Sequence, residues 1–489
     1  MTAFGMQAGA GFTSLYSFTG ANDGGIPYAG LVPGADGYLY GTTSSGGTNR
    51  SGSGVEYGGG TAFKIGTNGA LTPLCYFNAA AGLTCTAGLA QGSDGNLYGT
   101  TVFNANPQED DFAGDGTVFQ ISTNGGLTNL CYFNQPRGFP LAGLMQGHDG
   151  DFYGTTSAIN LTGNQSRSSY GDVFKVGTNG DYTSLYFFGT LRDAYGDALD
   201  GGNPRATLIQ GNDGNLYGTT WTGGDSTNYF YSDADEYYTY GTVFKISTNG
   251  ALTSLYSFGG IDGTYPVAGL VQGSDGNLYG TTSGGGTYSA DFYGNFYTYG
   301  TVFKISTNGA FTSLYSFTGT NDGANPEASL VQGSDGNLYG TTAVGGTNDS
   351  GTVFEINPDG TGFTTIYTFS AINAELNNFT YASNSDGAFP RANLILLGNT
   401  LYGTTSAGGI YGFGTVFSLT LPGPQLNIMP SGASVVLSWP TNFVLTLEST
   451  LNLGPAAVWN SVSPAPVIVN GQNVVTNPMT NLQMFYRLK

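Results

Sequence analysis

Apolar and polar positions along the chain recur in one order, and that order repeats. A run such as Val267-Ala-Gly-Leu-Val-Gln leads into Gly273-Ser-Asp-Gly, then Asn277-Leu-Tyr-Gly-Thr-Thr and a glycine-rich stretch. Gly300-Thr-Val-Phe-Lys-Ile-Ser follows, then Thr307-Asn-Gly and Ala310-Phe-Thr-Ser-Leu-Tyr-Ser-Phe. The runs are short and rich in Val, Ile, Thr, Tyr and Phe, with no sustained helical period, so each predicts a β-strand. Asp275-Gly276 and Asn308-Gly309 between them predict tight turns, because Gly and Asn tolerate positive φ. The second strand stands at Leu39–Thr43, Leu97–Thr101, Phe152–Thr156, Leu216–Thr220, Leu278–Thr282, Leu338–Thr342 and Leu401–Thr405. Four antiparallel strands in a unit of about 60 residues predict a propeller blade.

The chain ends predict how the array closes. Phe12-Thr-Ser-Leu-Tyr-Ser-Phe18 is a fourth strand with no first three before it. Ala392-Asn-Leu-Ile-Leu-Leu, Leu401–Thr405 and Gly414-Thr-Val-Phe-Ser-Leu-Thr are first, second and third strands with no fourth after them. Pairing the two fragments completes one blade and covers two otherwise bare strand edges. The expected fold is all-β: a seven-bladed β-propeller of four-stranded blades, its N-terminal strand closing the last blade. The first strands then line a channel. Turns after strands one and three share one face and barely vary in length. Connections after strands two and four share the other face and hold nearly all the length variation, as in Gly223–Tyr240, Gly284–Tyr299 and Ser370–Pro390.

Along strand three, Thr301, Phe303 and Ile305 are expected on one side, Val302 and Lys304 on the other. The mid-strand glycine of Leu-Tyr-Gly-Thr-Thr is expected to mark close approach by a neighbouring blade. After a linker at residues 422–424 the repeat ends. Residues 425–489 alternate in runs such as Ser434-Val-Val-Leu-Ser-Trp-Pro440 and Pro466-Val-Ile-Val-Asn, which predict a small C-terminal β-sandwich domain with Trp439 and Trp459 in its core. The propeller is thereby assigned to residues 1–421.

Charge narrows the partners. The net charge is −20 with only 12 Lys and Arg, which argues against nucleic acid and against docking on an anionic membrane. No apolar run reaches transmembrane length. Met1-Thr-Ala-Phe-Gly-Met-Gln has no basic region followed by an apolar one, so no signal peptide is expected in the sequence as written. Cys75, Cys85 and Cys131 form no CxxC pair and are expected as small buried apolar groups.

The unit Gly-Ser-Asp-Gly-Asn-Leu-Tyr-Gly-Thr-Thr … Gly-Thr-Val-Phe-Lys-Ile-Ser-Thr-Asn-Gly resembles the GloVer tandem repeat of secreted bacterial surface proteins, over residues 10–420. The resemblance implies export and display at the bacterial cell surface, and brings no catalytic residues with it. Many members end in a sorting or anchoring segment, and none is expected in the sequence as written.

Three groups of residues are candidates for chemistry. Asp23, Asp200, Asp262, Asp322 and Asp386 recur in the Asp-Gly-x-x-Pro type of connection, where they initiate a turn or supply oxygens to calcium, the one ion such loops would suit. No cofactor is required. The loops 227–240 and 287–299 carry Tyr229, Tyr231, Tyr237, Tyr238, Tyr240, Tyr288, Tyr293, Tyr297 and Tyr299, a composition suited to ligand contact or to holding long loops down. Sequons stand at Asn49, Asn160, Asn164, Asn348 and Asn378. His148, the single histidine, replaces a turn Ser, and no Ser/His/Asp set or phosphate loop is present. The expected role is a non-catalytic binding or assembly module with a protein or polysaccharide partner on the variable face. One version polymerises through its C-terminal domain into an extracellular filament. The alternative is a polysaccharide-binding or polysaccharide-degrading enzyme using acidic residues on that face.

Overall fold

The computed structural model describes residues 11–48, 58–78, 82–103, 116–133, 138–157, 170–193, 198–225, 239–287, 289–290, 296–373, 382–422, 426–440, 445–451, 457–469, 472–478 and 484–489. Within them every regular element is a β-strand. Seven four-stranded antiparallel sheets repeat along the chain. Sheet five is representative: Val271–Gln272, Leu278–Thr282, Thr301–Ile305 and Phe311–Ser316. The seventh runs Ile395–Leu397, Thr400–Thr405, Thr415–Thr420 and then Gly11–Ser17, the N-terminal strand pairing antiparallel to the third. The sheets are propeller-like blades, as the periodicity predicts.

Strand alternation divides each sheet between two interfaces. In sheet five, Leu278, Phe303 and Ile305 pack with Tyr217 and Val243 of sheet four. Tyr279 and Val302 pack with Leu338, Phe354 and Ile356 of sheet six. The same division links each successive pair, and Tyr402, Val416 and Phe18 of sheet seven pack with Leu39, Phe63 and Ile65 of sheet one. Contacts at the first strands follow the same cycle: a methyl group on Gly143 would stand 2.9 Å from Thr207 Oγ1 and 3.1 Å from Gly88 O, and one on Gly30 would stand 2.9 Å from Asn393 O. Thr404 Oγ1 donates to Ala29 O at 3.0 Å, and Ile26 N to Phe413 O at 2.8 Å, stitching the last sheet to the first.

Three expectations need correction. The mid-strand glycine accommodates its own sheet and no neighbouring one. Gly280 pairs with Phe303, and a Cβ on it would meet Phe303 Cζ at 2.5 Å and Leu270 Cδ2 at 2.8 Å, both from the same unit. A ring laid over a bare strand glycine fills the space the missing side chain leaves. The first strand has only two residues in sheets one to six and three in sheet seven, and the segment before it forms isolated bridges, such as Thr264 to Gly284, instead of extending the ladder. Trp459 is half-buried beneath the Arg487 guanidinium, 4.2 Å from its ring centroid, and lies outside the apolar core.

Beyond residue 426 two further sheets are present. One orders Asn427–Ser431, Ser434–Pro440, Gln472–Pro478 and Val467–Val469; the other orders Asn460–Ser461, Leu447–Thr450 and Phe485–Leu488. Leu437, Trp439, Leu447 and Val475 are buried between their residues. No described helix is long and apolar enough to cross a membrane.

Candidate functional site

The regular face is a lattice of satisfied polar groups. Tyr40, Tyr98, Tyr153, Tyr217, Tyr279 and Tyr339 each donate a hydroxyl proton to the aspartate of their own first turn, Asp36 to Asp335, at 2.5–2.7 Å. The other oxygen of each aspartate accepts a backbone N–H two residues on, at 3.0–3.3 Å. Only the glycine of the turn has positive φ, as Gly276 does at 80°, the geometry of a type I turn with a bulge. Burial opposes ionisation of Asp36, Asp94, Asp213 and Asp275, yet donation from tyrosine, asparagine or the backbone outweighs it and holds all four below the usual carboxylate range. Burial, then the adjoining carboxylate, pushes Tyr40 and Tyr98 up to about 12.

Glutamines tie these turns together. Gln146, Gln210, Gln272 and Gln332 each accept from a backbone N–H in the preceding sheet's turn at 2.8–3.0 Å. Each also donates to the carbonyl of its own turn glycine at 2.8–3.0 Å. His148 participates through its backbone N–H, its side chain being exposed. Across six of the interfaces, the first threonine of the second strand donates to an alanine carbonyl of the next sheet, as Thr281 does to Ala328 O at 3.1 Å, whereas Thr341 Oγ1 is buried without a partner. The second threonine meets its strand-three counterpart, as Thr282 Oγ1 meets Thr301 Oγ1 at 2.8 Å. In sheet three that counterpart is Asp172, fully buried and supplied with protons by Thr156, Tyr182 and Ser184 at 2.6–2.9 Å. A carboxylate so saturated is a core group, not a base exposed to substrate.

The elaborated face carries the residues predicted to bind. Asp23, Asp200, Asp262, Asp322 and Asp386 occupy equivalent places, one to a sheet connection. Each accepts from a fourth-strand tyrosine: Tyr16, Tyr186, Tyr256, Tyr315 and Tyr367 respectively. Backbone N–H groups add to this, Gly189 to Asp200 at 2.9 Å and Thr318 to Asp322 at 2.8 Å. Most of their oxygens face donors, Asp386 Oδ1 being buried without one, and no group of three His, Cys, Asp or Glu side chains among the described residues could hold a metal ion. Burial, then Asp23, pushes the Tyr16 hydroxyl up to about 12.

Of the ligand-contact tyrosines, Tyr240 is 5% exposed and packs with Val243, Phe258 and Leu278, so it belongs to the core and not to a contact surface. Tyr299 lies over Gly319, where a Cβ would meet its ring at 2.3 Å, and packs against the cluster around Phe317. The backbone of Tyr297 pairs with Ser289 in a two-stranded ribbon; its side chain lies outside the described residues, as do Tyr229, Tyr231, Tyr237, Tyr238, Tyr288 and Tyr293. Asn49, Asn160, Asn164 and Asn378 are outside them too. Asn348 donates its amide nitrogen, the atom a glycan would occupy, to Phe369 O at 2.9 Å. Burial pushes the Cys75 and Cys85 thiols up to about 11 and about 12, so both are protonated near neutrality and poor nucleophiles.

One group was missed by sequence reasoning. Trp221 directly follows the second strand of sheet four, where other copies carry Ser, Val or Ala. The Arg205 guanidinium lies 3.8 Å from its ring centroid, and Tyr265 5.4 Å from it. Asn203, with φ of 55°, positions both: its carbonyl accepts from Trp221 N at 3.1 Å, and Arg205 follows two residues later. The signal available was a tryptophan at a position where the repeat elsewhere holds small side chains.

Comparison with known proteins bears on the family. A candidate 6-phosphogluconolactonase of Bacteroides fragilis is 14% identical, covering 93% of this chain and 100% of its own, with a TM-score of 0.44. A protein of unknown function from Dyadobacter fermentans is 9% identical over 85% and 100%, with a TM-score of 0.42. At those values neither carries weight for activity. No curated protein matches the chain. The Gloeobacter/Verrucomicrobia repeat matches residues 52–291 and 292–434. With the repeat spanning most of its length, the chain belongs to the Gloeobacter/Verrucomicrobia repeat family.

Proposed function

We propose that this protein is a non-catalytic secreted or cell-surface module, a closed seven-bladed propeller that presents one variable face to a polysaccharide or protein. The observation that carries this is the contrast between its faces. On the regular face carboxylates and tyrosines are consumed by one another, and the glutamines by backbone groups of the turns. On the opposite face the loops differ from sheet to sheet and include the two tyrosine-rich segments. A degradative enzyme needs an acid and a base free to reach substrate; the described acidic candidates instead accept from internal donors. Immobilised polysaccharides and extracellular proteins should capture the native chain. Replacing Tyr229, Tyr231, Tyr237 and Tyr238 with Ser should abolish capture without moving the melting temperature. Unchanged capture, or sugar products released by the native protein, would remove this role.

The C-terminal sheets support an assembly version. The edge strand Val467–Val469 exposes all three side chains, Ile468 at 72%, and Met429 on the opposite edge strand is 56% exposed. Apolar edges with unpaired backbone groups are templates for strand addition from another chain. Electron microscopy of concentrated protein should show fibres, and Ile468→Lys should disperse them. Monomers alone at every concentration would end the filament version and leave the binding role untouched.

A further inference from the structure

Most polar groups of the repeats are matched; among the described residues the buried exceptions include Ser45, Thr86, Ser157, Thr341 and Asp386, and Arg205 is the one cation among them. At the elaborated end of sheet four three donors lie together with no acceptor among the described residues. Arg205 offers a planar fork of five N–H groups, and none has an acceptor within hydrogen-bonding distance among the described residues; its Nε is buried without a partner. Burial lowers its pKa, and no carboxylate among the described residues pairs with it. The equivalent Arg391 of sheet seven, by contrast, meets Glu327 at 2.5 Å. The Trp221 indole N–H and Tyr265 hydroxyl likewise have no acceptor among the described residues, and all three side chains are half-buried.

The Trp221 ring compensates part of the arginine's lost hydration by cation–π contact, but it supplies no lone pair. What the cluster lacks is an acceptor with two oxygens in a plane, which a guanidinium binds bidentately, presented on a body with an apolar face for the aromatic rings. We propose that Arg205, Trp221 and Tyr265 form a subsite for a uronic acid residue of an acidic polysaccharide, the carboxylate on Arg205 and the sugar ring against the aromatic pair. This deepens the binding role proposed above and rests on it. Repulsion from the net charge of −20 is screened beyond about 8 Å at physiological ionic strength, so it does not prevent a local contact.

Calorimetric titration of the full chain with trigalacturonic acid tests this. The acid should bind saturably, and its neutral methyl ester about tenfold more weakly or worse. Arg205→Gln should lose about tenfold or more in affinity, and Arg205→Lys, which keeps the charge but not the fork, should fall between. An unchanged melting temperature shows that the variants are folded. Equal binding of acid and ester, native affinity in Arg205→Gln, or no saturable heat would overturn the subsite. A triglutamate peptide binding as tightly as the sugar would overturn the carbohydrate assignment. If polysaccharide capture through the tyrosine loops persists when trigalacturonate binding is absent, the subsite alone fails and the binding role stands.

Discussion

The first turn of sheet five and the loop end of sheet four present similar side chains in opposite states. Asp275 and Tyr279 satisfy each other at 2.7 Å, with Asn277 closing the turn. Arg205, Trp221 and Tyr265 stack without any acceptor among the described residues. The first arrangement recurs in six sheets; the second occurs where one copy departs from its siblings. In a repeat protein the shared pattern is consumed by folding, since every copy must bury its faces on two neighbours. A residue that departs from the pattern and remains unpaired is available for something else. Damage to the lattice should therefore appear as lost stability, and damage to the departure as lost binding.

The strongest way to break this contrast lies in the core. Phe303→Ala removes a fully buried ring that also covers Gly280, and should cost about 3–5 kcal/mol in urea unfolding. Gly280→Ala should cost about 1–3 kcal/mol, because the added methyl meets Phe303 and Leu270. Asp275→Ala leaves the Tyr279 hydroxyl without its acceptor and should cost about 1–3 kcal/mol. None of these should alter ligand affinity in the fraction that remains folded. Arg205→Gln is the converse, with a stability change within about 0.5 kcal/mol and loss of uronate binding.

The pH limits sharpen the same distinction. Tyr40 and Tyr98 are raised in the folded state, so their contribution is complete below the unfolded tyrosine value of about 10 and is lost as pH rises towards about 12. Asp36, Asp94, Asp213 and Asp275 are depressed, so theirs is present above about pH 4 and is lost as pH falls through the folded values. Ultraviolet titration of tyrosinate should accordingly show a late group released together with unfolding; smooth titration near pH 10 would contradict the lattice.

Much of this was legible along the chain. The seven strand sets, the N-terminal strand completing the last sheet and the segregation of long loops follow from period and chain ends. Contacts that depend on twist were not legible: whether Phe303 or a neighbouring sheet covers Gly280, and whether Tyr240 faces solvent or core. The clamps made by Gln146, Gln210, Gln272 and Gln332 recur in the sequence before each turn glycine, but a glutamine's reach into the preceding sheet has no linear signature. Trp221 was visible as a break in the repeat, whereas its pairing with Arg205 requires two connections to meet at one end of sheet four.

Hydrogen–deuterium exchange with and without the captured polysaccharide tests the division of labour between the faces most directly. Added protection should be confined to the elaborated face, in residues 198–205, 221–225 and 259–266, and the turns at residues 211–215, 273–277 and 333–337 should exchange unchanged. Protection at those turns, with none around Arg205, Trp221 and Tyr265, would show that ligand binds the regular face and that the unmatched donors have no part in it.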